Sequence, residues 1–407
     1  MSPPPNTAPD PRASSASVDL GSLGFDHGAH LLLDHAFAPL PPGAQLVVSG
    51  SDPALTVHLR VWARARGHRV EPGASDDVLV VVRGTATDDR WHDAARAGDA
   101  TAVTTARADV RWGLAARGAL IEAGGPEPRF DLDVHDVVWA DIAPQLYAQA
   151  LAGQWDPAAA VPWDAAVDLP AEVEAAVVQV MTYLIENEQA ALTVPARFLG
   201  RVHPHFREIV QLLAVQVADE ARHIEVFTRR ARLRRDTLGV SGAGGRASLQ
   251  SLLDEPDFTL ALFLLSVLGE GSFLNLLAFL ERHAPDPVTA TIAHLVLQDE
   301  ARHVAYGLAH IELAVRADPS LRAGLRLAIE RRHGVLRDTA GLNQAVYDAL
   351  IVLAAGAWEP AAIATGVARV RTLEAEMDEG RRRRLTRLGF DRDDAAALSA
   401  LHTRNFM

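Results

Sequence analysis

The sequence predicts a mainly α protein: a four-helix bundle with extra C-terminal helices, preceded by a small α/β domain. Three observations predict it. Strand-like and helix-like stretches alternate between about Gly21 and Gly125, whereas helical periodicity dominates after Asp164. The word Asp-Glu-Ala-Arg-His occurs twice, 80 residues apart, inside two apolar helical stretches. A Gly-rich gap, Gly239 to Ser248, divides the helical half into two pairs, as an internal duplication would.

Taken in order, residues 1–20 are rich in Pro, Ser and Ala and lack an apolar run. They read as a disordered lead-in and not as a secretory signal. Residues 21–130 form the α/β domain. Ala44 to Gly50 follows the turn signal Pro41-Pro42-Gly43 and reads as a strand. Asp52-Pro53 opens a helix, with Asp52 as N-cap, and Leu55, Leu59 and Trp62 give it one apolar face. Gly67 ends it, and a second buried strand runs from Asp77 to Gly84. The stretch from Leu40 to Val70 resembles the TusA/SirA sulfur-carrier family, whose run is matched by Gly43, Leu46, Val48, Asp52, Pro53, Trp62, Gly67 and His68. That family works through a cysteine, and this chain has none, so the resemblance implies a fold with a docking or regulatory role in place of sulfur carriage.

Residues 131–169 read as a connector centred on GQWDPAAAVPWD, Gly153 to Asp164. Helices are expected at Pro170 to Val202, Pro204 to Leu238, Phe258 to His283, Pro287 to Ala317 and Leu321 to Trp358. The bundle proper covers 170–320. The C-terminal helices, 321–407, pack on it and end near His402.

Composition excludes several functions. The net charge of −13 gives no support to nucleic-acid binding. The basic run Arg381 to Arg384 follows the acidic stretch Glu374 to Glu379 and reads as a solvated helix face. Without cysteine there are no disulfides, thiolate metal sites or cysteine nucleophiles. Phe258 to Leu280 is long enough to cross a membrane, but Glu270 near its middle would be costly in lipid. It therefore reads as a buried bundle helix, and the protein as cytoplasmic with no membrane partner. That leaves Glu270 to be explained.

In an α-helix, positions i and i+3 share a face, so Glu220 projects with His223, and Glu300 with His303. Both pairs fall on the apolar side of their helices, where an ionised Glu must be paired or bind metal. Glu188 precedes Glu220 by 32 residues and Glu270 precedes Glu300 by 30, about one antiparallel hairpin each. Two single Glu and two Glu-x-x-His motifs pointing inward make the di-iron carboxylate arrangement. Four glutamates and two neutral histidines balance two ferrous ions, so such a core holds no unpaired charge. Oxygen and imidazole donors suit iron or manganese. Glu186 competes with Glu188 but points about 200° away around the helix, and aligning NEQAAL with GEGSFL favours Glu188.

The region 170–320 resembles the ferritin-like di-iron superfamily, which includes bacterial multicomponent monooxygenases, ribonucleotide reductase small subunits, arylamine N-oxygenases and the rubrerythrin group. The repeated Asp-Glu-x-Arg-His word carries the resemblance. It implies a ferritin-like bundle in which Glu188, Glu220, His223, Glu270, Glu300 and His303 hold two Fe ions, or a Mn/Fe pair, with Glu220 and Glu300 bridging. It also implies that Asp219 and Asp299 accept hydrogen bonds from the histidines, crosswise between halves, with Arg222 and Arg302 balancing them. No catalytic side chain is assigned beyond these.

The expected activity is that of a non-haem di-iron oxygenase or oxidase, which hydroxylates, N-oxygenates or desaturates a small organic substrate. Its expected partners are that substrate, O2 and an electron donor, with a homodimer a possible assembly. A ferroxidase or iron-handling role is the alternative, as is a metal-free interaction protein of the same fold. The extra N-terminal domain speaks against iron storage, and the intact ligand set against a metal-free role. Phe227 stands where radical-storing reductase subunits carry tyrosine, and Val296 where N-oxygenases carry an extra histidine, with His294 on the wrong side of the helix. Leu184, Leu192, Gln216, Phe227, Ser266, Phe273 and Leu274, one turn from the ligands, are the candidates to line a substrate pocket. Tyr183 and Tyr306 read as packing residues, His310 as a core residue or a support to the ligands, and His203 and His205 as surface loop residues.

Overall fold

The computed structural model describes residues 16–75, 78–85, 91, 93–102, 105–337 and 343–401. The chain divides into two compact units: Met1–Arg96 with Ala119–Pro126, and Ala97–Gly118 with Glu127–Met407.

The first unit is a two-layer α/β fold. Strands β1 (Ala16–Asp19), β2 (Gln45–Ser49), β3 (Arg69–Pro72) and β4 (Val78–Val82) form a four-stranded sheet in the order β1-β2-β4-β3. β1 runs parallel to β2, and the other pairings are antiparallel. Alternation along the strands decides the buried face. Leu46 and Val48 of β2 and Val81 of β4 are fully buried with Leu33 of α1 (Ala29–Phe37) and Leu59 of α2 (Leu55–Ala65). β5 (Ala95–Arg96) and β6 (Leu120–Ile121) form a separate antiparallel pair.

Two expectations change in this unit. Ala16–Asp19 is a strand and not disordered lead-in, because it pairs with β2 from Ala16↔Leu46 to Asp19↔Ser49. Residues 1–15, and Asp77 of the second expected strand, lie outside the described residues. Helix α2 begins at Leu55: the Asp52 carboxylate accepts from the Ala54 N–H at 3.0 Å and closes a turn ahead of the helix. The residues behind the sulfur-carrier resemblance serve this core. His68 stacks on Phe37 at 4.7 Å, accepts from the Gly84 N–H at 3.1 Å, and packs beside buried Trp62.

The second unit is helical. It takes in residues 97–118 and 127–130, expected in the small domain, because bridges Arg107↔Val134 and Leu132↔Val202 and the Arg117–Glu208 ion pair at 2.7 Å tie them to the helices. The expected connector holds α3 (His135–Val138), α4 (Ala143–Ala152) and α5 (Pro157–Ala160). α6 (Ala171–Leu199) then packs along α7 (Arg207–Ala231). At the end of α7, fully buried Arg230 pairs with Glu174 and Asp286 at 2.8 Å each and donates to Thr289 at 2.8 Å.

The expected Gly-rich gap is largely α8 (Ala243–Leu253). A Cβ on Gly245 would lie 2.9 Å from Asn343 Oδ1, so close packing, and not a turn, explains that glycine. Next come α9 (Phe258–Leu262), a π-helical stretch Phe263–Glu270, α10 (Gly271–His283) and α11 (Pro287–Ala317). Phe258–His283 is long and apolar enough to cross a membrane by length and composition, yet 83% of its most apolar window is buried inside the protein. The expected helix Leu321 to Trp358 is two, α12 (Leu321–Leu336) and α13 (Gln344–Ala355), the second stopped by Gly356 at φ 71°.

α14 (Pro360–Arg387) packs on α10 and α13, and α15 (Arg392–Ala400) follows it. The end expected near His402 lies outside the described residues. The Arg381 to Arg384 run is not a solvated face throughout. Arg381 is buried, with its Nε 3.2 Å from Ser399 Oγ, and Arg384 turns inward with it. Arg382 and Arg383 face water, as the shared face of positions i and i+3 dictates.

Candidate metal centre

α6 supplies Glu188, α7 supplies Glu220 and His223, the end of the π-helical stretch supplies Glu270, and α11 supplies Glu300 and His303. All six are buried, none more than 4% exposed. Their donor atoms form two groups, Glu188–Glu220–His223–Glu300 and Glu220–Glu270–Glu300–His303, each with all atoms within 4.8 Å of one another. Glu220 and Glu300 belong to both groups. His223 Nδ1 lies 3.4 Å from Glu188, 3.1 Å from Glu220 and 3.5 Å from Glu300. His303 Nδ1 lies 3.0 Å from Glu220 and 3.5 Å from Glu300. Glu186 turns away and lines a small cavity with Asn187, Ser248 and Asn343.

A continuous α-helix was expected through Glu270. The structure instead widens the turn before it into a π-helix, a rare form that recurs at functional sites. Gly307 of α11 lets the two segments close: a Cβ there would lie 2.4 Å from Ser266 Cβ.

Outside the cluster, the two histidines are held crosswise. His223 donates from Nε2 to Asp299 Oδ2 at 3.2 Å, and His303 from Nε2 to Asp219 Oδ2 at 3.4 Å. Arg222 spans both aspartates, reaching Asp299 at 2.9 Å, and Arg302 does the same, reaching Asp219 at 3.4 Å. Each imidazole is thus fixed in orientation, with Nε2 turned outward to an aspartate and Nδ1 turned inward to the glutamates.

Electrostatics follow from burial and proximity. Burial pushes Glu188 and Glu270 well above the usual carboxylate range, and the charges of Glu220 and Glu300 add to the push. Burial also works against the ionised forms of Glu220, His223 and His303, but is outweighed. The His303 charge and hydrogen bonds hold Glu220 low, Asp299 and the glutamates hold His223 up, and Glu220 with Asp219 holds His303 up. Protons favoured on Glu188, Glu270 and the two imidazoles offset the negative charge gathered in the cluster.

The expected pocket residues are placed unevenly. Gln216 donates to Glu270 Oε1 at 3.3 Å. Leu184, Phe227 and Ser266 are fully buried, Phe273 packs against Tyr183 at 6.0 Å between ring centres, and Leu192 is only half-buried. None of them lines a cavity described among the residues of this unit. His294 is exposed and pairs with Glu281 at 2.9 Å, while Val296 is fully buried. Tyr306 donates to the Val138 carbonyl at 3.3 Å. His310 is buried, donating from Nδ1 to the Trp139 carbonyl at 2.9 Å and meeting Thr259 Oγ1 at 3.1 Å. His203 and His205 are not surface residues. They are 1% and 5% exposed, packed on Phe130 and Trp112 by the segment that joins this unit from upstream.

Two residues escaped the sequence reading. Gln154 donates to Asp219 at 3.1 Å and accepts from Arg222 at 2.6 Å. Trp155 donates from Nε1 to Asp299 at 2.8 Å, with the Arg222 guanidinium 4.7 Å above its ring. Both sit in the expected connector. The only local signal was a Gln-Trp pair ahead of an Asp-Pro helix start.

No protein-family model and no curated protein sequence matches the chain. Among solved structures it is similar to a variant of an R2-like ligand-binding oxidase with an aerobically reconstituted Mn/Fe cofactor, at 16% identity and TM-score 0.43, over 58% of this chain and 92% of that one. Another variant, with an aerobically reconstituted Fe/Fe cofactor, overlaps at 16% identity and TM-score 0.43, over 65% and 94%. The same kind of oxidase after photoconversion gives 16% and 0.40, over 63% and 89%.

Proposed function

We propose that the chain is an O2-dependent oxidoreductase of the di-metal carboxylate type, with two irons, or a manganese and an iron, held by Glu188, Glu220, His223, Glu270, Glu300 and His303. The observation that carries this is the sharing of Glu220 and Glu300 between two four-residue donor groups. The donors fit the metals. Glu188 Oε1, Glu270 Oε2 and Glu300 Oε2 are buried without a hydrogen-bond partner, which is costly unless something else pairs them. Carboxylate and imidazole suit iron and manganese.

Held there, such a metal pair would pass electrons to O2, and the oxygen so reduced would take electrons from an organic substrate. The chain's own part is to position and to exclude water. Glu220 and Glu300 set the spacing of the two positions, while Asp219 and Asp299 orient the imidazoles. Leu184, Phe227, Phe273 and Val296 keep the surroundings apolar, and Gln216 and Ser266 offer polar handles beside Glu270. With no cavity among these packed residues, a substrate would have to be small and largely apolar and enter as side chains give way, and repeated turnover calls for an external electron donor.

The test is O2 consumption after anaerobic loading with ferrous iron. The intact protein should take up O2 as its iron oxidises, and Glu220→Ala and His303→Ala should not. Equal uptake by either variant overturns the assignment.

A further inference from the structure

We propose that Arg384, near the end of α14, is a positioning residue that clamps the π-helical stretch and so sets where Glu270 would meet the metal pair. This rests on the di-metal reading above. The clamp is visible in three contacts. Arg384 Nε donates to the Val267 carbonyl at 2.7 Å, inside the π-helical stretch and three residues before Glu270. A carbonyl accepts from the amide four residues on in an α-helix and five on in a π-helix, and the Val267 carbonyl stands where one pattern gives way to the other, so a side-chain donor there bears on which pattern holds. The guanidinium also lies flat against the backbone at Gly271, the residue after Glu270: a Cβ there would come within 2.5 Å of Nε and 2.6 Å of Cζ. On its own helix, Gly380 makes the matching room, since a Cβ there would stand 3.1 Å from Arg384 Nη1.

The electrostatics say that this arrangement is not a by-product of salt bridging. No carboxylate pairs with Arg384 among the described residues, and its Nη2 is buried without a hydrogen-bond partner. The nearby charges acting on it are those of Arg381 and Arg383, both repulsive. A guanidinium held inward beside like charges, with a peptide carbonyl as its acceptor, is costly unless it fixes something. What it fixes is the end of the segment that carries Glu270, the one donor of the second group supplied by neither Glu-x-x-His motif.

The consequence is specific to one metal position. Glu188, Glu220, His223 and Glu300 do not depend on the clamp, whereas Glu270 does. Arg384→Met should therefore leave the first metal bound and weaken the second by about tenfold, the low end of what supporting residues contribute to metal affinity. Arg384→Lys, which can still donate to Val267, should recover part of the loss. Gly271→Ala, which pushes the guanidinium off from the opposite side, should reproduce the Met variant. A readout free of metal accompanies these: in the metal-free protein, amide hydrogen exchange across 263–272 should quicken in Arg384→Met and Gly271→Ala, while exchange in α6 and α7 stays unchanged.

Stepwise Fe(II) or Co(II) titration of the full chain, with its ligand-field spectrum, reads the affinities. Loss confined to the second metal in both variants, with rescue by Lys, supports the clamp. Two metals bound with unchanged affinity and spectrum in both variants overturns it, and so does uniform weakening of both positions. If the unaltered chain binds no metal, the di-metal reading fails; exchange across 263–272 then still decides whether Arg384 holds the π-helical stretch.

Discussion

His223 on α7 and Asp299 on α11 are 76 positions apart in the chain and 3.2 Å apart in the fold, joined through the imidazole Nε2. The mirrored pair is His303 with Asp219. Each copy of the repeated Asp-Glu-Ala-Arg-His word therefore supplies the aspartate that orients the histidine of the other.

Asp299→Asn keeps the size of the side chain but removes the charge that stabilises the His223 ring. Removing such support typically weakens metal binding by about 10–100-fold. The effect should fall on the position that includes Glu188 and His223, measured by competition with a chromophoric chelator. Less than a twofold change would mean that the aspartate is only a packing group.

Arg230 is a stability element distinct from the cluster. It is fully buried, and its two carboxylate partners, Glu174 and Asp286, lie on different segments of the bundle. Arg230→Met leaves both acids buried without their cation, which should cost about 3–5 kcal/mol. Urea unfolding of the metal-free protein measures this. A loss below about 1 kcal/mol, the range of an exposed pair, would contradict the pairing.

His310 makes stability depend on pH. Burial lowers its imidazole to about 4 from the ordinary 6.5, and its Nδ1–H is committed to the Trp139 carbonyl. Between those values the unfolded chain binds a proton that the folded chain refuses, so stability rises with pH. The contribution is complete above 6.5 and is lost as pH falls toward 4, about 3 kcal/mol in full. His310→Gln, which can bond to the same two partners without titrating, should flatten the change in urea midpoint between pH 7 and pH 5. An unaltered pH dependence would sink this account.

What was legible in the sequence was what sits within one helical turn or repeats. Glu220 with His223, and Glu300 with His303, declare themselves because i and i+3 share a face. Glu188 and Glu270 follow from hairpin length. The two missed partners, Gln154 and Trp155, lie 65 and 144 positions from the aspartates they serve, a distance that no local pattern encodes. The π-helical stretch was equally hidden, since one wider turn leaves no compositional trace in an apolar run. His203 and His205 were misjudged for a related reason. A turn between helices usually faces solvent, but here the segment around Trp112 and Phe130 covers it.

The central claim is that two metal positions share Glu220 and Glu300. Metal content per chain after anaerobic Fe(II) loading and removal of excess tests it directly, comparing the unaltered protein with Glu188→Gln and Glu220→Gln. The account predicts close to two irons for the unaltered chain, about one for Glu188→Gln, and near none for Glu220→Gln, which takes a shared donor from both positions. No tightly bound iron in the unaltered chain, or equal losses in the two variants, would contradict it.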